Sequence, residues 1–251
     1  MVNALATGIA SGPMTVSDAL LSPLLAADPA RPLITFYDDA TGERIELSGA
    51  TFANWVAKTA NLLRDECDVE PGAPVAVLLP AHWQTAAALC AVWSCGAEIV
   101  ADPAGAEVAL ADAEHLEEAG SAGLVVGFSL DAFGQGLGDA LPGGAVDYAT
   151  EVRVHGDHFD PLAPVPDDTP ALAGADVATV VATARARAAE LGLSADDRVL
   201  ATGAWPVATA GGLVDGFLAV LAAGASLVQV RHPAGDQTHR AGTEKVTRTL
   251  A

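Results

Sequence analysis

Residues 71–100 and 195–230 are written on one plan. PGAPVAVLLP…ALCAVWSCGAEIV and ADDRVLATGAWP…GFLAVLAAGASLVQV each pass from a polar turn through a short apolar run into an Ala-rich stretch. Each stretch ends in AVxxxGA and leads to a second apolar run. A helix joining two apolar strands is a crossover unit, the connection that parallel strands require, and its hand is almost always right. Gly96 and Gly224 supply the left-handed residue that stops each helix. Two such units predict an α/β fold of two stacked lobes, each a mainly parallel sheet covered by helices.

The remaining segments are read around this pair. LITFYDDATGERIEL (33–47) is a hairpin with its turn ending in Gly42. Ser48 or Thr51 caps a helix running to about Asp65, with Phe52, Trp55, Val56, Ala60 and Leu63 on its apolar face. VALADAEHLEEAG (108–120) is expected to be a helix stopped by Gly120, SAGLVVGFSL a strand, residues 131–144 a loop, and AVDYATEVRV (145–154) a strand. Asp176 caps a further helix with Val177, Val180, Val181, Ala184, Ala188 and Leu191 inward, ended by Gly192. The Pro/Asp-rich stretch 155–170 marks a lobe boundary. The expected organisation is therefore an N-terminal extension and first helix over 1–30, one α/β lobe over 31–160 and a second over 161–251, packed as one unit.

Composition narrows the function classes. Acidic residues number 32 against 12 basic, a net charge of −20, which argues against nucleic acid and anionic membrane surfaces as partners. The three cysteines, Cys67, Cys90 and Cys95, show no ligand spacing. Cys90 and Cys95 on one helix would stand about 7.5 Å apart along its axis, beyond the usual reach of a bridge of about 7 Å. Reduced thiols and a cytoplasmic location are expected. The N-terminus carries no Lys or Arg before Arg31 and so lacks the basic start of a signal peptide. The apolar run 212–230 is interrupted by Asp215 and split at Gly224-Ala225, which argues against a membrane span.

Residues 32–103 carry a resemblance. The hairpin, the Leu-x-x-x-Thr-Phe helix entry at 47–52, the strand PGAPVAVLLP and the turn AVWSCGA follow the order that opens the acyl-CoA synthetase and adenylate-forming superfamily. Residues 195–228 resemble that superfamily's later strand and substrate-side helix. Over about 30–230 the chain is similar to the first half of such an enzyme, and along its whole length it resembles a small actinobacterial-type family of truncated synthetase-like proteins. The resemblance implies ATP-dependent activation of a carboxylate through an acyl-adenylate and transfer to CoA or a carrier thiol. That chemistry takes a Ser/Thr/Gly-rich loop ending in Pro-Lys-Gly, whose amides and lysine cradle a triphosphate. It also takes a metal-binding acid, a ribose-binding Asp and a lysine on a C-terminal lid.

The sequence departs from each of these. The loop's position holds Ala173-Gly174-Ala175 alone, no lysine occurs between Lys58 and Lys245, and Ala251 stands before the nucleotide-binding and lid segments. In WPVATAGG, Pro206 and Gly212 remain, while Ala208 and Thr209 replace the family's aromatic residue and histidine. The reading is a truncated synthetase-like protein, not catalytic, with no cofactor. Its candidate ligand-binding residues are Trp205, Pro206, Ala208, Thr209, Gly211 and Gly212. Its candidate partners are an acyl or CoA-like small molecule, a protein partner or a second copy of itself. The alternative is a subunit of a split ligase completed by another chain.

Other clusters are weaker. His155, Asp157, His158 and Asp160 lie close in sequence, as do His232, Asp236 and His239, without the tight ligand pattern of a metal site. FGQGLG (133–138) lacks the helix that a dinucleotide fingerprint opens, and Ser94 has no histidine arranged near it. No catalytic or metal residue is expected.

Overall fold

The structure, a computed structural model, describes residues 14–209 and 211–250. Residues 1–13, with the extension and the signal-peptide reading that concern them, lie outside these. Thr15 opens α1 (Val16–Leu20) through a reciprocal capping box with Asp18, and α2 (Ser22–Ala27) follows. The hairpin is β1 (Pro32–Asp38) and β2 (Glu43–Ser48), antiparallel around a turn closed by Gly42 at φ 78°. The Ser48 Oγ accepts the Thr51 amide at 3.1 Å and starts α3 (Gly49–Asp65), which buries Phe52, Val56, Ala60 and Leu63.

The first crossover is β3 (Pro74–Leu78), α4 (Trp83–Ser94) and β4 (Glu98–Val100), with β3 and β4 parallel. After it come β5 (Val108–Asp112), α5 (Leu116–Ala119), β6 (Leu124–Phe128), β7 (Val146–Asp147) and α6 (Tyr148–Glu151). Then β8 (Pro170–Leu172) and β9 (Ala175–Asp176) lead into α7 (Val177–Glu190). The second crossover runs from β10 (Arg198–Ala201) through α8 (Gly211–Leu213), a π-helical turn at Val214–Leu218 and α9 (Ala219–Ala222) to β11 (Ser226–Arg231). β10 and β11 are parallel, as the repeated plan requires. The chain closes with α10 (Thr238–Thr243) and β12 (Arg248–Leu250).

Two expectations are corrected. Residues 108–112 are not helical: β5 lies between β3 and β6, parallel to both, and all five of its residues are buried. Helix is confined to Leu116–Ala119. Residues 145–154 hold strand at Val146–Asp147 alone, because the Asp147 carboxylate then accepts the Thr150 amide and opens α6, which runs into a 3₁₀ turn at Val152–Val154.

The strands form two sheets, ordered β12-β10-β11-β1-β2 and β7-β6-β5-β3-β4-β8-β9, parallel throughout except for the hairpins β1/β2 and β8/β9. The five-stranded sheet draws on both ends of the chain, the 32–48 hairpin joining strands from 198–250, while the seven-stranded sheet takes the middle, with the 170–176 hairpin joining strands from 74–147. Between them, α4 packs on β4 of one sheet and β1 of the other, and every residue from Trp83 to Trp93 is buried. A helix apolar all round belongs in such a place. Two contacts tie it to its surroundings: the Trp93 Nε1 donates to the Ala171 carbonyl at 2.9 Å, and the Ser17 Oγ of α1 donates to the Cys90 carbonyl at 2.6 Å, while the buried Thr85 Oγ1 has no partner among the described residues. Among the described residues, no helix is long and apolar enough to cross a membrane.

A polar lock holds the five-stranded sheet. The buried Glu244 carboxylate accepts from the Tyr37 hydroxyl at 2.5 Å, from Arg198 at 2.5 Å and from Arg44 at 2.9 Å. Burial alone would raise this carboxyl. The hydrogen bonds from Tyr37, Arg198 and Arg44 outweigh it and hold the group at about 2.

Two outcomes follow from the packing and the lock. Trp93→Ala should cost about 3–5 kcal/mol in urea denaturation, and Trp93→Phe roughly 1–3 kcal/mol, since the smaller change mainly orphans a buried carbonyl. Glu244 binds no proton when folded at pH values where the unfolded chain already does. Its contribution to stability is therefore complete above the ordinary carboxylate range and lost as pH falls toward about 2. Glu244→Gln should flatten that part of the acid-unfolding profile.

Candidate functional site

In parallel α/β sheets, ligands collect beyond the carboxyl ends of the strands. Here the carboxyl ends of both sheets open on one cleft of about 470 Å³, bounded by Asp38 at the end of β1, Arg231 at the end of β11, Asp112 at the end of β5 and Ser129 just past β6. Glu43, at the start of β2, and the exposed Phe133 complete its wall. Asp38 accepts from the Ala40 amide at 2.8 Å and meets His232 Nδ1 at 2.9 Å, with Arg231 at 3.9 Å.

Behind Glu43 stands His82, placed by the junction of β3 and α4. Its Nδ1 accepts the Gln84 amide at 3.1 Å and caps α4, which assigns the ring proton to Nε2. The ring packs edge-on against Phe36 at 4.3 Å and is buried. Its Nε2 has no hydrogen-bond partner among the described residues, with the Glu43 Oε2 at 3.9 Å. Burial lowers the affinity of this imidazole for a second proton, and the neighbouring Glu43 only partly offsets that. His115, by contrast, is raised by its 2.6 Å hydrogen bond to Asp112. The cleft thus offers carboxylates, one guanidinium and a neutral imidazole behind them. The thiols offer no nucleophile, because burial pushes Cys67, Cys90 and Cys95 up to about 12.

The position expected for a phosphate loop is a two-residue hairpin turn. Ala173 (φ 47°) and Gly174 (φ 83°) connect β8 to β9. Their amides are used within the chain: Ala173 donates to the Ile99 carbonyl at 2.9 Å and Gly174 to the Glu98 Oε1 at 2.7 Å. The first three amides of α7 are also taken. Val177 donates to the Thr169 carbonyl at 3.0 Å, Ala178 to the Asp167 carbonyl at 3.0 Å, and Thr179 to the Asp176 Oδ1 at 2.7 Å. The Thr179 side chain first, and then its amide, hold the Asp176 carboxyl below its usual value.

The other sequence-predicted residues fall as follows. Trp205 is buried past the carboxyl end of β10, stacked on Phe217 at 5.0 Å, with no partner for its Nε1 among the described residues. Pro206, Ala208, Thr209 and Gly211 are exposed. At Gly212 a Cβ would stand 2.6 Å from the Ala204 carbonyl and 2.7 Å from the Pro206 ring, so backbone, not open space, faces it. The 155–160 loop is strapped to α3. Lys58 donates to the His155 carbonyl at 2.6 Å and pairs with Asp157, Asn61 donates to the carbonyls of Gly156 and His158, and Arg64 donates to that of Asp160. Among the described residues, no group of three or more His, Cys, Asp or Glu is placed to hold a metal.

Sequence reasoning missed Asp38, Glu43, His82, Asp112 and Arg231, and weighed His232 only beside Asp236 and His239. His82 and His232 each directly follow or nearly follow a recognised strand, the one signal that pointed to them. Asp38 and Glu43 meet the rest through sheet pairing alone.

This architecture defines a class: the fold is that of the N-terminal half of acyl-CoA synthetases. An acyl-CoA synthetase of Brucella canis matches with TM-score 0.77 at 17% identity, over 96% of this chain and 48% of that one. An anthranilate–CoA ligase solved with anthranoyl-AMP matches with TM-score 0.70 at 15% identity, over 92% and 47%. Acetoacetyl-CoA synthetase of Streptomyces lividans matches with TM-score 0.67 at 18% identity, over 92% and 41%. The chain thus spans about half the length of these solved enzymes. No family model matches it. A Mycobacterium tuberculosis protein described as a TIGR03089 family protein is 53% identical over 246 residues, 95% of this chain and 99% of its own length. The chain belongs to the TIGR03089 family.

The two histidines give a direct check. In an NMR titration, His82 should protonate below the ordinary imidazole midpoint of about 6.5 and His115 above it. His82 then withdraws stability as pH falls below that value, because the unfolded chain binds a proton the folded chain refuses. His115 adds stability there and loses it as pH rises through its raised folded value.

Proposed function

We propose that this chain is a synthetase-like α/β protein of the cytoplasm that does not by itself adenylate carboxylates. It serves instead to bind an acyl or CoA-type small molecule or a protein partner. One observation carries the reading. Where adenylate-forming enzymes hold a triphosphate, the amides of Ala173, Gly174, Val177, Ala178 and Thr179 are already bonded within the chain, two of them to the carboxylates of Glu98 and Asp176. A triphosphate arriving there would have to displace two anions, and no lysine lies between Lys58 and Lys245 to meet it. A helix N-terminus attracts an anion by roughly 0.3–1 kcal/mol, which does not repay that exchange. The exposed segment Pro206, Ala208, Thr209 and Gly211, with Trp205 and Gly212 beneath it, is the proposed ligand-facing stretch of the second crossover.

A second reading rests on the half-length match to solved synthetases. The chain could be one subunit of a ligase whose nucleotide groups come from another chain. Carboxylate-dependent pyrophosphate exchange, run with magnesium over fatty, aryl and amino acids, tests both. The purified chain should show no exchange above the no-protein control. Exchange by the chain alone that is lost on Glu98→Ala or Asp176→Ala would overturn the first reading. Exchange appearing when a second protein is added would establish the second.

A further inference from the structure

A second cavity lies under the N-terminal helices, at the amino ends of β1 and β11. It has a volume of about 390 Å³, within the range of small-molecule sites of about 300–1,000 Å³. Leu20 and Leu24 from α1 and α2, Leu33 from β1, and Leu221 and Ala225 around the end of α9 line it. Two arginines break this apolar surface: Arg31, ahead of β1, and Arg185 on α7.

Their state is unlike that of most arginines in the chain. Arg44, Arg64, Arg187, Arg198, Arg231 and Arg240 each lie beside a carboxylate. Arg31 instead donates to three carbonyls, Ala195 at 2.5 Å, Asp197 at 3.3 Å and Gly224 at 3.4 Å. Arg185 reaches the Ala19 carbonyl at 3.5 Å. Carbonyls fix a guanidinium in place without cancelling its charge. The lining holds one carboxylate, Asp28, which accepts the Ala30 amide at 3.0 Å. The residues outside the described ones contain no Asp or Glu side chain. Two guanidinium groups against one carboxylate leave the lining net positive in a protein of net charge −20, with Asp167 the one carboxylate of the smaller cavity that Arg185 also borders.

We propose that this cavity binds a free, single-chain amphiphilic anion, with its apolar tail against Leu20, Leu24 and Leu221 and its anionic head between Arg31 and Arg185. The tail recovers the burial that the cavity lacks, and the head supplies the charge the guanidinium groups lack. The overall negative charge does not prevent this, because exposed charges beyond about 8 Å are largely screened at physiological ionic strength. The cavity shares no residue with the Trp205–Gly212 segment or the 173–179 turn, so the proposal stands or falls independently of the nucleotide question.

The test is calorimetric titration of the full chain with decanoate, decanol and acetate, below micelle formation. Decanoate should bind, decanol more weakly, and acetate not at all. Arg31→Gln should weaken decanoate about tenfold and the exposed Arg185→Gln up to about fivefold, with decanol unchanged in both. Leu24→Trp should abolish both ligands, with an unaltered circular dichroism spectrum confirming the fold. Equal binding of decanoate and decanol, decanoate binding that survives Leu24→Trp, or no binding of decanoate would each overturn the proposal. So would binding to phosphatidylglycerol vesicles in place of monomeric decanoate.

Discussion

Burial of α4 on every side is the constraint on which the rest depends. Eleven consecutive residues, Trp83 to Trp93, are removed from water between two sheets. Alanines at 86, 87, 88 and 91 keep the helix slim enough for α3, α1, β4 and β1 all to pack on it, and the two tryptophans lie near its ends. One continuous core then reaches from Ile34 and Leu227 of one sheet to Val75 and Ile99 of the other. The sheets are therefore not independent layers that happen to touch. The register of each is fixed through the same helix, and a close-packed core tolerates even a methylene's change poorly. The site inherits this rigidity. His82 caps α4, so the imidazole behind the cleft is held by the element with the least freedom to move.

Electrostatics finishes what packing starts. With 32 acidic side chains, repulsion must be relieved where segments meet, and the few cations are spent at seams. Arg44 and Arg198 close the Glu244 lock across the five-stranded sheet. Lys58 and Arg64, with Asn61 between them on α3, bind the carbonyls of the 155–160 loop. Arg187 ties α7 to Asp215 in the π-helical turn at 2.7 Å. The same economy acts at the 173–179 turn, where Glu98 and Asp176 supply the negative charge that the amides would otherwise offer to a ligand.

Much of this was legible in the residues. The repeated strand-helix-strand plan, the Ser48 and Asp176 caps and the stops at Gly96 (φ 75°) and Gly224 (φ 72°) rest on local chemistry that the fold did not override. VALAD misled for a physical reason. A strand buried on both faces of a parallel sheet shows no alternation, and a five-residue Ala-rich run then reads equally well as buried helix. AVDYATEVRV misled in the other direction, because β-favouring Val and Tyr outweighed the Asp147 cap that starts α6. The cleft was least legible. Asp38 and Glu43 face each other across the legible hairpin, but Asp112 comes from the other sheet and His82 from the start of α4, and nothing in local spacing brings these to the pair.

The account turns on whether the amides around Ala173 to Thr179 are committed within the chain. Backbone amide NMR during titration with magnesium-ATP reads this directly. The resonances of Gly174, Val177, Ala178 and Thr179 should stay unshifted up to millimolar nucleotide. A saturable shift confined to those four amides would show that the turn opens to receive phosphate, and would contradict the account.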